Sequence, residues 1–480
     1  MRRSILFALA LYSCFLLASC GGSSPTSTSP VAGSVPVSLS IGDTPPDGVA
    51  VLFFEAMITG VKLQPSDSSK PAVSVLASPV EVEFGHLQTD TAFLSLFNTP
   101  PDTYSSMTLT FNGAQMTIVN HTGAAIGSCG NNSVCEFSPN FNSSTATISS
   151  SPFPIQITPQ SVVGVRLDFN LISSIQTDLS VTPTVAVNKL IIRQQDEDDQ
   201  EMEQLDEVEG VVTATGNNQF TLMNKRSGQS FTITVDNNTF YEDFDRAGCT
   251  ANPVDFTCIQ TGQVLNVRLS ENGMGSMLAK RVEFEEKVNT QAIKGTITSV
   301  DSATQFHMVV FNEEPNVNGL PEGSPAVVTI MSSATFQIGK EETGEDQGFG
   351  FSNLSFVSGA DLMVGQDVQV RAQNISTING TPALTTDLVR LWPSQVTGQI
   401  GTVNSDNGTF TLVGLSPLFT GANPPVTKIN VISLSEMDFM DFTGSGSLVP
   451  GSTVSVKGLL FDTPTTPTLV TRAMREHHDD

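Results

Sequence analysis

Gly210-Val-Val-Thr-Ala-Thr, Gly295-Thr-Ile-Thr-Ser-Val and Gly398-Gln-Ile-Gly-Thr-Val open three stretches of this 480-residue chain that carry the same landmarks in the same order. A phenylalanine follows each opening glycine after 10, 11 or 12 residues, at Phe220, Phe306 and Phe410. A later strand ends near Phe240, Phe336 or Phe439. A second glycine turn then leads into a strand: Thr261-Gly-Gln-Val-Leu-Asn-Val267, Val364-Gly-Gln-Asp-Val-Gln-Val370 and Pro450-Gly-Ser-Thr-Val-Ser-Val456. Each copy closes on Arg281-Val-Glu283, Leu388-Val-Arg390 or Val470-Thr-Arg472. The opening glycines lie 85 and 103 residues apart, so insertions differ while the skeleton holds, as expected of a duplicated unit. Five or six short strands in about 80–100 residues close into a small barrel of the OB or SH3-like kind. The expected barrels span 210–287, 293–393 and 396–474, followed by a tail at 475–480.

Upstream, apolar residues alternate with polar ones: Val35, Val37, Leu39, Ile41; Val80, Val82, Phe84; Met107, Leu109, Phe111; and Met116, Ile118. The clearest run is Val163, Val165, Leu167, Phe169, Leu171, with Arg166, Asp168 and Asn170 on the other face. Period two between Gly, Pro, Asn and Asp turns predicts antiparallel sheets with one solvated face. About nine strands in 33–192 suit a β-sandwich of immunoglobulin or transthyretin-like type. The chain is therefore expected to be all-β, a sandwich followed by three tandem barrels. Between them, nine acids and no base fall in residues 196–209. Such a run repels itself, so 193–209 is expected to be a linker and the first site of limited proteolysis.

The first module resembles a lipoprotein domain catalogued as domain of unknown function 4382. The resemblance rests on Val37-Ser-Leu-Ser-Ile-Gly-Asp43-Thr-Pro-Pro46, Ile58-Thr-Gly-Val-Lys62, Pro100-Pro-Asp-Thr-Tyr104 and Val165-Arg-Leu-Asp168-Phe169. The repeat is similar to domain of unknown function 5666, found in tandem in bacterial lipoproteins. Neither resemblance implies a chemistry.

The N-terminus reads as an address. Arg2-Arg3 precede an apolar run from Ile5 to Ala18, 14 positions where a spanning helix needs about 20. The run ends in Leu17-Ala-Ser-Cys20, which resembles the bacterial lipobox: residues 1–19 are cut away and Cys20 is acylated. Gly21 after the cysteine resembles the pattern sent to the outer membrane, facing periplasm or medium. Residues 20–32 form the lipidated cysteine and a Ser/Thr/Pro/Gly tether. Two or three acyl chains anchor a protein almost irreversibly. In that oxidising setting Cys129 and Cys135, and Cys249 and Cys258, are expected as two local disulfides of roughly 2–3 kcal/mol each. Their spacing does not suit zinc.

The whole chain has 22 basic and 48 acidic residues, a net charge of −26, which cleavage takes to −28 by removing two arginines and no acid. That balance speaks against nucleic acid as a partner, since phosphate contacts need clustered Lys and Arg. None of the histidines (His86, His121, His307, His477, His478) lies in a metalloprotease motif, and no nucleophile elbow or phosphate loop appears. Asp196, Asp198, Gln200 and Glu207 fall in a calcium-loop register, but Glu201 occupies the position that needs glycine. No catalytic residue, metal or cofactor is expected. The only tryptophan, Trp392, plugs a seam between barrels or offers a stacking surface for a ligand. The expected function is a non-enzymatic, lipid-anchored envelope module whose partner is an envelope protein or glycan; a carbohydrate- or protein-binding adhesion module and, more remotely, a hydrolase are the alternatives.

Overall fold

The computed structural model describes residues 48–76, 78–87, 94, 99–158, 163–191, 204–224, 228, 230–242, 244, 247–271, 277–285, 291–314, 320–338, 354–378, 380–404, 408–440 and 448–477. The signal run, Cys20, the tether and the strand expected at 35–41 lie outside these residues. So do residues 192–203 of the acidic run.

The first module holds nine strands: β1 (Val49–Pro65), β2 (Val73–Ser74), β3 (Val80–Glu83), β4 (Asp102–Asn120), β5 (Ser133–Phe137), β6 (Thr145–Ile148), β7 (Ile155–Ile157), β8 (Val163–Phe169) and β9 (Val185–Ile191). Long β1 and β4 pair antiparallel along their whole length; β2 and β3 extend the sheet from β1, and β5, β6 and β7 extend it from β4. The β8–β9 hairpin forms a second, two-stranded sheet. Leu109 and Phe111 of β4 share a core with Leu167, Phe169 and Val187 of that hairpin. Where an immunoglobulin-like sandwich was expected, the two layers are thus very unequal, seven strands against two.

Phe111 and Met116 are both buried inside although they lie five positions apart, an odd step. Strict alternation would put them on opposite faces. The register slips between Ala56 and Met57 of β1, where Gly113 of β4 is passed over with φ +60°, and this bulge restores the phase. The run at 163–171 ends two residues early: Asn170 caps a one-turn helix, Leu171–Ser174, its side chain accepting from the Ser173 amide at 2.8 Å.

The first barrel comprises β10 (Gln204–Gly216), β11 (Gln219–Asn224), β12 (Ser230–Thr234), β13 (Phe240–Glu242), β14 (Val264–Glu271) and β15 (Met277–Glu285). The second is β16 (Gln291–Ser302), β17 (Gln305–Glu314), β18 (Pro325–Ile338), β19 (Asp367–Ile378) and β20 (Thr381–Trp392). The third is β21 (Ser394–Asn404), β22 (Thr409–Val413), β23 (Ile429–Met440), β24 (Thr453–Phe461) and β25 (Thr468–His477). The second and third are closed barrels in which the third strand runs parallel to the fifth. The first closes in the same order through the parallel pairing of β12 with β15, while β13 continues the third strand after a break. This is the Greek-key order of the OB fold.

The repeated glycines do the same work three times. A Cβ on Gly210, Gly295 or Gly398 would stand 2.6, 2.6 or 2.9 Å from a carbonyl oxygen of the second strand, so the backbones cross where no side chain fits. Gly262, Gly365 and Gly451 turn at φ +88°, +84° and +96°, a region only glycine enters freely. Their amides donate to the carbonyls of Val212, Ile297 and Ile400, two residues beyond each opening glycine, at 2.7, 2.8 and 2.7 Å. The two motifs are therefore halves of one suture. Phe220, Phe306 and Phe410 are buried in the three cores.

The acidic run is shorter than expected. Pairing of Gln204 with Ser270 and Leu205 with Leu269 draws residues 204–209 into β10, so the cleavage window narrows to 194–203. Nicked chains are expected to co-elute in size exclusion at neutral pH, because the first module is docked on the later barrels, as described next. Separation of the halves would contradict that docking. Both disulfides are present, Cys129–Cys135 and Cys249–Cys258, with Cα atoms 5.8 and 5.4 Å apart.

Candidate functional site

Ionisable groups from distant parts of the sequence converge where the first module meets the second and third barrels. The seam itself is apolar. Ala50, Leu52, Phe53 and Val119, on the outer face of β1 and β4, pack with Val309 of the second barrel and Leu418 of the third. Phe53 is fully buried. Thr117 donates to the Gly323 carbonyl at 2.6 Å and Gln115 to the Glu322 carbonyl at 2.9 Å. Arg475 of β25 donates to Asp168 of β8 at 2.5 Å. The second and third barrels also interlock: Leu459, Phe461 and Val470 enter the core of the second, and Gln366 donates to the Leu460 carbonyl at 2.9 Å. The core of the first barrel, by contrast, draws on residues 208–284.

Beside this seam β3 ends in Glu83, which is buried and accepts four hydrogen bonds. Its Oε1 takes the amides of Phe54 at 3.2 Å and Gly85 at 2.8 Å; its Oε2 takes the His86 amide at 3.0 Å and His86 Nδ1 at 2.8 Å. Because an ionised carboxylate only accepts, Nδ1 must carry a proton. The other side of the ring meets Phe311 of β17, centroids 4.2 Å apart. Burial alone pushes Glu83 up, but the His86 charge and these donors hold it below the usual carboxylate range. Burial likewise disfavours charge on His86, yet the Glu83 carboxylate, with help from Asp367, pushes it up to about 9.

Asp367 opens β19 one residue after the turn pair Gly365-Gln366 and is buried. Its Oδ1 accepts from the Thr296 hydroxyl at 2.6 Å, and its amide donates to Ser394 Oγ at 2.7 Å. Burial pushes it up to about 6, against the pull of His86, Thr296 and Lys457. Lys457 comes from β24 of the third barrel and acts on both His86 and Asp367. Two carboxylates and two cationic groups thus span three modules.

Trp392, at the end of β20, sits at the junction between the second and third barrels, and the Lys294 ammonium lies 4.0 Å from its ring centroid. One face of the indole is thereby taken. Among the described residues no group of three or more His, Cys, Asp or Glu is placed to hold a metal ion. His86 is one of five histidines outside any motif, so its place at this junction is not read from local spacing. A signal was available in Val49-Ala-Val-Leu-Phe-Phe54, an unbroken apolar run that marks a strand buried on both faces.

Residues 209–283, the first barrel, match the family model described as Domain of unknown function (DUF5666). No curated protein matches the chain. Among solved structures it is similar to a multidomain protein with nucleic acid binding domains from Streptococcus pneumoniae, at 9% identity and TM-score 0.11, covering 55% of this chain and 72% of that one. It is also similar to Drosophila Unr CSD456, at 7% identity and TM-score 0.12, covering 57% of this chain and 98% of that one. The exclusion of nucleic acid drawn from charge is withdrawn, since a protein with nucleic acid binding domains is among those the chain is similar to. Scores this low carry no argument for such a partner in this chain either.

Proposed function

We propose that this chain is a non-enzymatic, lipid-anchored lipoprotein of the cell envelope, a structural or binding module held at the outer membrane. The observation that carries the reading is the N-terminal order of Arg2-Arg3, the apolar run from Ile5 to Ala18, and Leu17-Ala-Ser-Cys20-Gly21. Two further observations support it. The four remaining cysteines of the exported part are joined as two local disulfides, which persist in oxidising compartments. The first barrel matches a domain family, and the second and third barrels share the first barrel's paired glycines and strand order. On this reading all three barrels belong to that family, and the first module belongs to the lipoprotein domain that it resembles. Cys20→Ala is expected to move the protein from the membrane to the soluble fraction, because no acyl chain can then be attached. Undiminished membrane residence of the variant would refute the anchor.

A further inference from the structure

We propose that the Cys129–Cys135 disulfide is a redox-sensitive clasp on the seam: oxidised, it fixes the rim on which the third barrel rests, and reduced, it lets the first module part from the second and third barrels. The inference goes beyond the envelope reading and does not depend on the anchor.

Two contacts across the seam come from the short stretch that this bond braces. Val134 of β5, next to Cys135, pairs with Val119 and packs against the apolar cluster that Phe53 shares with Val309 and Leu418. His121, just past the end of β4, lies against the turn that closes the one-turn helix Pro417–Thr420: a Cβ on Gly421 would stand 2.4 Å from the imidazole. The same helix carries Leu418 into the cluster. The loop between these two contacts is tied at both ends. Buried Asn120 anchors its root, Nδ2 donating to the carbonyls of Ala124, Cys129 and Gly130 at 2.8, 3.1 and 3.2 Å. At the far end Asn132 Oδ1 lies 2.9 Å from His121 Nδ1, and the disulfide fastens Cys129 to β5.

A dithiol reductant supplies the two electrons that open the bond. Its thiolate attacks Sγ of Cys135, which is half-buried where Cys129 is fully buried, and displaces the Cys129 thiolate. The second thiol of the reductant resolves the mixed disulfide, the reductant leaves as its own disulfide, and its two protons end on Cys129 and Cys135. The opened stretch regains conformational freedom, and docking must then order it again. Cys249–Cys258 has no such reach. Both of its residues belong to the core of the first barrel, which shares no residue with the seam cluster.

Small-angle scattering of the full chain at constant pH, with and without excess dithiothreitol, tests this. The dithiol is expected to raise the radius of gyration while amides of the β1–β4 ladder stay protected from exchange. The double variant Cys129→Ser, Cys135→Ser is expected to be expanded without reductant and to show no further change. Cys249→Ser with Cys258→Ser is expected to stay compact until the dithiol is added. A radius unmoved by reduction, or an expansion that follows the second pair, would overturn the proposal. So would loss of protection along β1 and β4 on reduction, since the bond would then hold the fold of the first module and not its docking.

Discussion

Phe53→Ala is expected to destabilise the protein by about 3–5 kcal/mol, the range for truncating a buried phenylalanine. The expected cost is large because nothing nearby can collapse into the space. Phe53 is fully buried on the outer face of β1. Val309 and Leu418 belong to two barrels that close on themselves, so neither can follow it. The Gly323 turn also leans on this ring: a Cβ there would stand 2.8 Å from Phe53 Cδ1. Leu63→Ala, inside the core of the first module, is the control. Both variants should lower the denaturant midpoint. Only Phe53→Ala should also make the halves of a chain nicked at 194–203 separate on size exclusion at neutral pH. If Leu63→Ala separated them equally well, the seam would not be what joins the modules.

The second large effect separates two causes at one repeated position. Gly365→Ala is expected to cost about 2–5 kcal/mol, and Gly262→Ala about 1–2 kcal/mol. Both glycines turn at positive φ, so both substitutions pay the left-handed strain. Around Gly262 a Cβ meets nothing within 4 Å. At Gly365 it would stand 2.3 Å from Phe419 Cε1, a ring buried in the core of the third barrel. Overpacking therefore adds to strain in one repeat and not in the other. Urea unfolding of the two variants measures the difference. Equal losses would mean that the second and third barrels do not press together at this turn.

The repeats were legible because their glycines answer local backbone demands. A close strand crossing leaves no room for a Cβ, and a turn at φ near +90° strains any other residue, so glycine recurs at both positions in every copy. The buried phenylalanines were legible for the same reason, since period two places them. Phase was legible only in part: the odd step from Phe111 to Met116 is a bulge, and reading it needs the partner strand. The start of β10 was hidden because acidic residues dominate 196–209, although Leu205 and Val208 already occupy ladder positions. The junction was not legible. Asp367 occupies a turn position held by Val264 and Thr453 in the sister repeats, so its carboxylate looks like a harmless variation. Only the docking of modules far apart in sequence brings it near His86 and Lys457. Local pattern cannot supply that distance, whereas the apolar stretch at 49–54 did record that both faces of β1 are covered.

The lipoprotein proposal reads Arg2-Arg3 and the apolar run from Ile5 to Ala18 as a signal removed ahead of Cys20. Mass spectrometry of the N-terminal peptide from membrane-extracted protein tests it most directly. A chain beginning at Cys20 and carrying acyl chains on that residue is the predicted result. A chain that retains residues 1–19, or that begins elsewhere with Cys20 as a free thiol, would contradict the lipoprotein account.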